Sequence, residues 1–170
     1  AAGESGHGPI IPDGPPCPCG GHGCLEVYAS ATGIVRRAKE LGIADSDGNG
    51  RVGPLSASTV AHLATGGDSR ALQVFDEVGY ALGLSLAHLI NALDLPLYVL
   101  GGGAAAAFPL FAPKMFATVR EGSYVYRMSA PKDAAVYEKG KTHIAPAQLQ
   151  DAGIVGAALL PLMAAVKTPA

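Results

Sequence analysis

Three cysteines, Cys17, Cys19 and Cys24, fall within eight residues of a stretch that ordinary core burial cannot shape. From His7 to Glu26 the chain reads His-Gly-Pro-Ile-Ile-Pro-Asp-Gly-Pro-Pro-Cys-Pro-Cys-Gly-Gly-His-Gly-Cys-Leu-Glu. No apolar repeat of helical or strand period runs through it. A segment of this kind needs cross-links. Disulfides fit poorly, because Cys17-Pro-Cys19 is too tight for an easy bridge and three thiols leave one unpaired. Zn²⁺ fits well, since structural zinc sites are closed tetrahedral sets of thiolate and imidazole. The cysteines supply three ligands. The fourth is His22, nearest in sequence, or His7, across a Pro/Gly-rich excursion, and spacing alone leaves both open. Glu4 and Glu26 bracket the stretch. Carboxylates beside a metal loop orient ligands or accept from the hydroxyls of a bound molecule; as surface residues they are equally well read as solvated charge.

The remaining composition is that of a globular protein, with 170 residues, 49% hydrophobic, 15% charged and a net charge of −2. That length suits one domain or part of a larger one. No basic stripe exists to neutralise phosphates, which argues against a nucleic-acid or membrane surface. The longest apolar stretch, Tyr80 to Leu93, is interrupted by Ser85, His88 and Asn91 and is shorter than the ~18 residues of a membrane span. Clustered Cys and His without a signal peptide point to a soluble, cytoplasmic metal binder. The first residue is Ala1 rather than Met, and the cysteine stretch follows at once. A site needs walls on both sides, so the chain is expected to be a fragment or processed piece of something longer.

Residues 1–26 read as irregular loop, with a short edge strand at Gly8–Ile11 limited by Pro9 and Pro12. Helical pattern runs from Leu25 to Leu41, with Ser30 and Thr32 as N-cap candidates and Ile34, Val35 and Ala38 on one face. Asp45-Ser-Asp47-Gly-Asn49-Gly50 matches the opening of a calcium loop. Ser56 stands where that loop wants a bidentate Glu, so a solvated turn is the better reading. A short helix spans Thr59 to Ala64, and Asp68 or Ser69 caps a long one from Arg70 to Leu93. Its second half is apolar nearly all round, which predicts burial on most sides and makes His88 a hydrogen-bonded core histidine. Pro96–Leu100 reads as a buried strand. Gly101-Gly102-Gly103 follows directly, then a helix from Ala106 to Glu121 with Phe108, Phe111 and Met115 inside. Tyr124–Met128, Ala134–Tyr137 and Thr142–Ala145 read as strands, and Asp151 caps a last helix over 152–166. Helix, strand, glycines and helix in succession make an α/β pattern.

Three glycines between a strand and a helix let a ligand approach the backbone closely, and the helix start offers free N–H groups. The triplet is neither a Rossmann nor a P-loop fingerprint, and a tight connection with no ligand explains it equally well.

Taken together, Gly3-Glu4-Ser5-Gly6-His7 and Cys17-x-Cys19-Gly20-x-x-Gly23-Cys24-x-Glu26 resemble the zinc motif of the ROK family, which covers bacterial sugar kinases and related sugar-responsive repressors. Leu97-Tyr-Val-Leu-Gly-Gly-Gly103 resembles that family's strand and glycine turn near the nucleotide. Asp151-Ala-Gly153-Ile-Val-Gly156-Ala-Ala resembles its C-terminal helix. The resemblance covers nearly the whole chain. It implies an actin-like, ribonuclease H-like ATPase fold, of which residues 1–170 would be a partial C-terminal lobe, without the N-terminal lobe or the first strands of this one. Residues 1–26 would form its zinc- and sugar-binding loop.

The same resemblance makes His7, Cys17, Cys19 and Cys24 the zinc ligands and leaves His22 a bystander. It assigns Glu4, His7 and Glu26 to the hydroxyls of a hexose or amino sugar, and Gly101, Gly102 and Gly103 to the adenosine side of ATP, with Mg²⁺ accompanying ATP in the full-length enzyme. It also implies a homo-oligomer, a dimer or tetramer. The chain departs from the family pattern in lacking an Asp-x-Gly-x-Thr phosphate loop, a Gly-Thr-Gly turn and a catalytic Asp. No catalytic residue is therefore assigned here, and the chain alone is expected to be inactive. Ser5 also replaces a usual aliphatic residue. Two functions follow: one lobe of an ATP-dependent hexose kinase, or the effector domain of a sugar-responsive repressor whose DNA-binding element lies elsewhere.

Overall fold

A computed structural model describes residues 3–45 and 53–149. Most of the calcium-like turn, the Asp151-Ala-Gly153 motif and the expected helix over 152–166 lie outside them. Asp45, at the edge of that turn, is described: its carboxylate pairs with Lys39 Nζ at 2.9 Å and accepts from Leu55 N at 3.2 Å. The two contacts tie the helix that carries Lys39 to the segment leading into the next helix, which is a structural use of the residue.

The described helices are α1 (Glu26–Ala29), α2 (Ala31–Glu40), α3 (Ala57–Thr65), α4 (Ser69–Leu93), α5 (Phe108–Gly122) and α6 (Tyr124–Ser129). Two strands, β1 (Leu97–Leu100) and β2 (His143–Pro146), pair in parallel, with Leu97 opposite His143 and Leu100 opposite Pro146. The helical stretch expected from Leu25 to Leu41 divides at Ser30. That residue is extended, and its Oγ accepts from Gly33 N at 3.0 Å, the N-cap arrangement that starts α2. Ser56 does the same for α3 through Thr59 N at 3.1 Å. Asp68 caps α4 by accepting from Arg70 N and Ala71 N at 2.9 and 3.3 Å.

The core lies between α4 and its neighbours. Val74, Phe75, Val78 and Ile90 of α4 meet Phe111, Met115 and Val119 of α5, and all are buried. The two helices approach closely because glycines sit at their crossing. A Cβ on Gly79 would stand 2.4 Å from Phe111 O, and one on Gly83 would stand 2.5 Å from Thr118 Cβ. On the other side of α4, Arg37 of α2 makes a two-pronged pair with Glu77, its Nε and a terminal nitrogen each 2.7 Å from a carboxylate oxygen.

Several expectations are corrected. Tyr124–Met128 is helix rather than strand. Ser123 Oγ accepts from Tyr126 N at 3.0 Å and donates to Asn91 Oδ1 at 2.8 Å, so a cap anchored to α4 overrides the β-propensity of Tyr-Val-Tyr. Ala134–Tyr137 forms turns within a loop that His143 fastens. The His143 ring nitrogen Nε2 lies 3.0 Å from Glu138 N and 2.9 Å from Glu138 O, and the ring stacks on Tyr137. Gly8–Ile11 is no strand; among the described residues only an isolated antiparallel bridge, Pro9 to Cys24, occurs there.

Strand β1 is in place but only half buried. Tyr98 faces the core, while Leu97 and Val99 are 49% and 57% exposed. Its alternation exposes one whole face, which a strand buried on both sides would not do. His88 is exposed, as are Asn91, Ala92 and Leu93, so the end of α4 is covered on one side only.

Candidate functional site

The loop ahead of α1 is built from main-chain hydrogen bonds around its prolines and glycines. Ile10 N and Ile11 N donate to Gly23 O at 2.9 and 3.2 Å, Gly23 N donates to Pro15 O at 2.8 Å, and Leu25 N donates to Gly8 O at 3.2 Å. Gly23 is obligatory here. Its φ is +62°, and a Cβ would stand 1.6 Å from Ile11 O. Cys17 N donates to Gly21 O at 2.8 Å and Gly20 N to Cys17 O at 2.9 Å, which curls the Cys17–Cys24 segment on itself.

This folding brings His7, Cys17, Cys19 and Cys24 together, with their donor atoms all within 4.8 Å of one another. Cys19 Sγ and Cys24 Sγ are 3.7 Å apart, and Cys17 Sγ lies 3.6 Å from His7 Nδ1. No disulfide links the three thiols. A tetrahedron with Zn–S near 2.3 Å and Zn–N near 2.05 Å sets sulfurs about 3.8 Å apart and a sulfur and a nitrogen about 3.6 Å apart. The Cys19–Cys24 and Cys17–His7 separations match those of a tetrahedral cation site. Of the two histidines that spacing left open, His7 is the one that lies beside the three thiols. His22 is exposed and enters only a main-chain bridge to Pro16.

The thiols differ in character. Cys17 and Cys24 are buried, whereas Cys19 is exposed. Burial, together with the two neighbouring thiols, pushes the Cys24 thiol up to about 12. The Cys19 thiol is held below its ordinary value, first by the Gly21 backbone and then by Cys17. A bound cation would relieve the crowding by stabilising all three thiolates at once.

Glu26, the first residue of α1, reaches His7. Its Oε2 lies 3.1 Å from His7 Nδ1, with both side chains part exposed. His7 Nδ1 thus faces the cysteines and Glu26, and the other ring nitrogen has no partner among the described residues. Glu4 precedes the short 3₁₀ turn Ser5–His7, where its carbonyl accepts from His7 N at 3.0 Å; its carboxylate is exposed. The structure therefore joins Glu26 to the Cys/His cluster directly, through His7, and Glu4 only through the main chain.

Gly101, Gly102 and Gly103 leave β1 exposed, with Gly102 at φ +91°. They border a cavity of about 860 Å³ whose opposite wall is the start of α2 and α3, including Ser30 and Ser56, and whose floor includes Ile34, Phe75 and Leu110. Sequence reasoning found the glycines but missed this opposite wall. Its alanines carry no chemical signal, and its serines read only as helix caps.

The family model described as the ROK family matches residues 1–163. The chain belongs to the ROK family. Among curated proteins it is 34% identical over 160 residues to a glucokinase of Thermotoga maritima, covering 91% of this chain and 47% of that protein. Among solved structures, a ROK family transcriptional regulator, homolog of the E. coli MLC protein, aligns at TM-score 0.72 with 27% identity, over 98% of this chain and 42% of that one. A ROK family glucokinase from Streptomyces griseus, in complex with glucose and AMPPNP, aligns at TM-score 0.69 with 29% identity, over 94% of this chain and 51% of that one. The chain thus shares the fold of the ROK kinases and spans about half the length of the relatives it matches.

Proposed function

We propose that this chain is the sugar- and nucleotide-binding C-terminal lobe of an ATP-dependent hexose kinase, stabilised by a structural zinc ion. The observation that carries the reading is the convergence of His7, Cys17, Cys19 and Cys24 with Glu26 on one edge of the fold. It is supported by the likeness to a glucokinase crystallised with glucose and AMPPNP. His7 and the three cysteines would hold the zinc, which supplies no reaction chemistry and fixes the loop. Glu26 beside His7 then offers an acceptor for a sugar hydroxyl, and the outward ring nitrogen of His7, fixed in direction by the metal, offers a second polar contact. Glu4 is assigned to the same sugar. The cavity beside Gly101–Gly103 takes the adenosine of ATP, and Mg²⁺ accompanies the phosphates. The phosphoryl transfer itself, from ATP to a hexose or amino-sugar hydroxyl, belongs to the polypeptide that carries this lobe together with a general base. This lobe alone binds and does not turn over.

The experiment is a phosphorylation assay of the full-length protein with ATP and a panel of hexoses and amino sugars. Transfer to at least one sugar is expected; transfer to none would sink the kinase reading. A second reading, the effector domain of a sugar-responsive repressor, is favoured by the alignment with the ROK transcriptional regulator. A helix-turn-helix in the full-length protein, without a catalytic Asp, would decide for it. Both readings share the sugar loop, and a cytoplasmic homo-oligomer is proposed for either.

A further inference from the structure

The three thiols of the loop are unequally open to solvent, and their neighbours differ. Cys17 and Cys24 are buried, at 6% and 1% exposure, whereas Cys19 is exposed. Cys19 Sγ lies 3.7 Å from Cys24 Sγ, while Cys17 Sγ lies against His7 Nδ1 at 3.6 Å. An accessible thiol with a second thiol beside it is the arrangement in which a sulfenic acid, once formed, is resolved as a disulfide. A bridge from Cys19 to Cys17 would close a ring across Pro18 alone. One from Cys19 to Cys24 encloses Gly20-Gly21-His22-Gly23, a longer and more pliant turn.

The backbone on either side decides which sulfur moves. Gly23, next to Cys24, is held by its N–H on Pro15 O at 2.8 Å and has no room for a side chain. Gly20, next to Cys19, has nothing within 4 Å of the position a Cβ would take. Gly21 lies over both sulfurs: a Cβ there would stand 3.6 Å from Cys19 Sγ and 3.7 Å from Cys24 Sγ. From 3.7 Å, the sulfurs must close by about 1.7 Å to reach bonding distance. That movement falls to Cys19, the exposed end of the turn.

We propose that Cys19 and Cys24 form a reversible oxidation site for hydrogen peroxide, and that their disulfide expels the proposed zinc and frees His7. The Cys19 sulfur attacks the O–O bond, takes one oxygen as a sulfenic acid and releases water. The Cys24 sulfur then attacks the Cys19 sulfur and displaces that oxygen as a second water. The two thiols lose two hydrogens and two electrons in all, and the peroxide is reduced to two waters. Only Cys17 and His7 remain as donors, half of the closed four-ligand set that a structural zinc needs. The expulsion rests on the zinc reading above; the disulfide does not.

The test is treatment of the full-length protein with hydrogen peroxide, followed by non-reducing peptide mapping and measurement of the zinc set free. A Cys19–Cys24 link is expected, with zinc released in step with it and recovered by the protein when a dithiol reductant and Zn²⁺ are added. A Cys17–Cys24 or Cys17–Cys19 link in its place, or no link among the three, would overturn the proposal. Trapping with dimedone separates the two roles. In Cys24→Ser, peroxide is expected to leave the sulfenic acid on Cys19; an adduct on Cys17 instead would overturn the order of attack. A Cys19–Cys24 link formed with zinc retained would overturn the expulsion. A protein purified without zinc that still forms the link would overturn the zinc reading and uphold the oxidation site.

Discussion

At the scale of single residues, His7 and Glu26 matter most. Glu26 Oε2 lies 3.1 Å from His7 Nδ1, the nitrogen that also faces the cysteines, so a cation held on that nitrogen leaves the carboxylate free to accept from a ligand hydroxyl. Replacing the carboxylate should affect the proposed sugar contact and leave the metal site intact. Glu26→Gln is expected to raise the sugar KM of the full-length enzyme by about tenfold to a hundredfold, the usual range for a hydrogen bond to a charged group, with one zinc per chain retained. An unchanged KM would remove Glu26 from the sugar pocket. His88 teaches the opposite lesson. An apolar neighbourhood in sequence suggested a core position, yet its direction on α4 leaves it exposed.

At the scale of elements, the α4–α5 crossing depends on two glycines. Gly83→Ala would bring its Cβ within 2.5 Å of Thr118 Cβ and 2.8 Å of Met115 O. Forcing the helices apart is expected to cost about 1–3 kcal/mol, read as a lowered denaturant midpoint; stability within error of wild type would show that the crossing relaxes freely. The cap of α4 has a pH signature. Its Asp68 carboxyl is held below the usual range by Arg70 and by the Ala71 N–H. A depressed folded-state value means that the contribution is present above the ordinary carboxylate range and is lost as pH falls through the lowered value. Asp68→Asn, which caps without titrating, should flatten that part of the acid limb; an identical acid limb in both proteins would contradict the assignment.

The helices were largely legible in the sequence because their signals are local: an apolar period of three and four, a serine or aspartate at the start, a glycine after the end. Ser123 shows where local reading failed. Its hydroxyl reaches Asn91, far away in sequence, and that contact turns Tyr-Val-Tyr from an expected strand into α6. The cysteines were recognisable by type; spacing left His7 and His22 open, the family resemblance pointed to His7, and the fold brings His7 beside the three thiols. The cavity was not legible at all, since alanines acquire meaning there only by what they leave open.

At the scale of the molecule, the cysteine loop and the main core are separate. Cys17, Cys24 and Val27 pack with Tyr28 in a small cluster of their own, apart from the large core around α4 and α5. Removing the proposed zinc should therefore unfold the loop and spare the helices. Treatment with a strong chelator is expected to abolish sugar binding with little loss of far-UV helical signal; loss of the whole helical signal would mean that the core depends on the metal. Zinc affinity should fall as pH is lowered, because protons compete for the three thiolates and the imidazole.

The most direct measurement is the zinc content of the purified protein and of two variants, by plasma mass spectrometry. One zinc per chain is expected in the wild type and in His22→Ala, with loss in His7→Ala. A metal-free wild type, or zinc lost from His22→Ala but kept by His7→Ala, would contradict the assignment of the site.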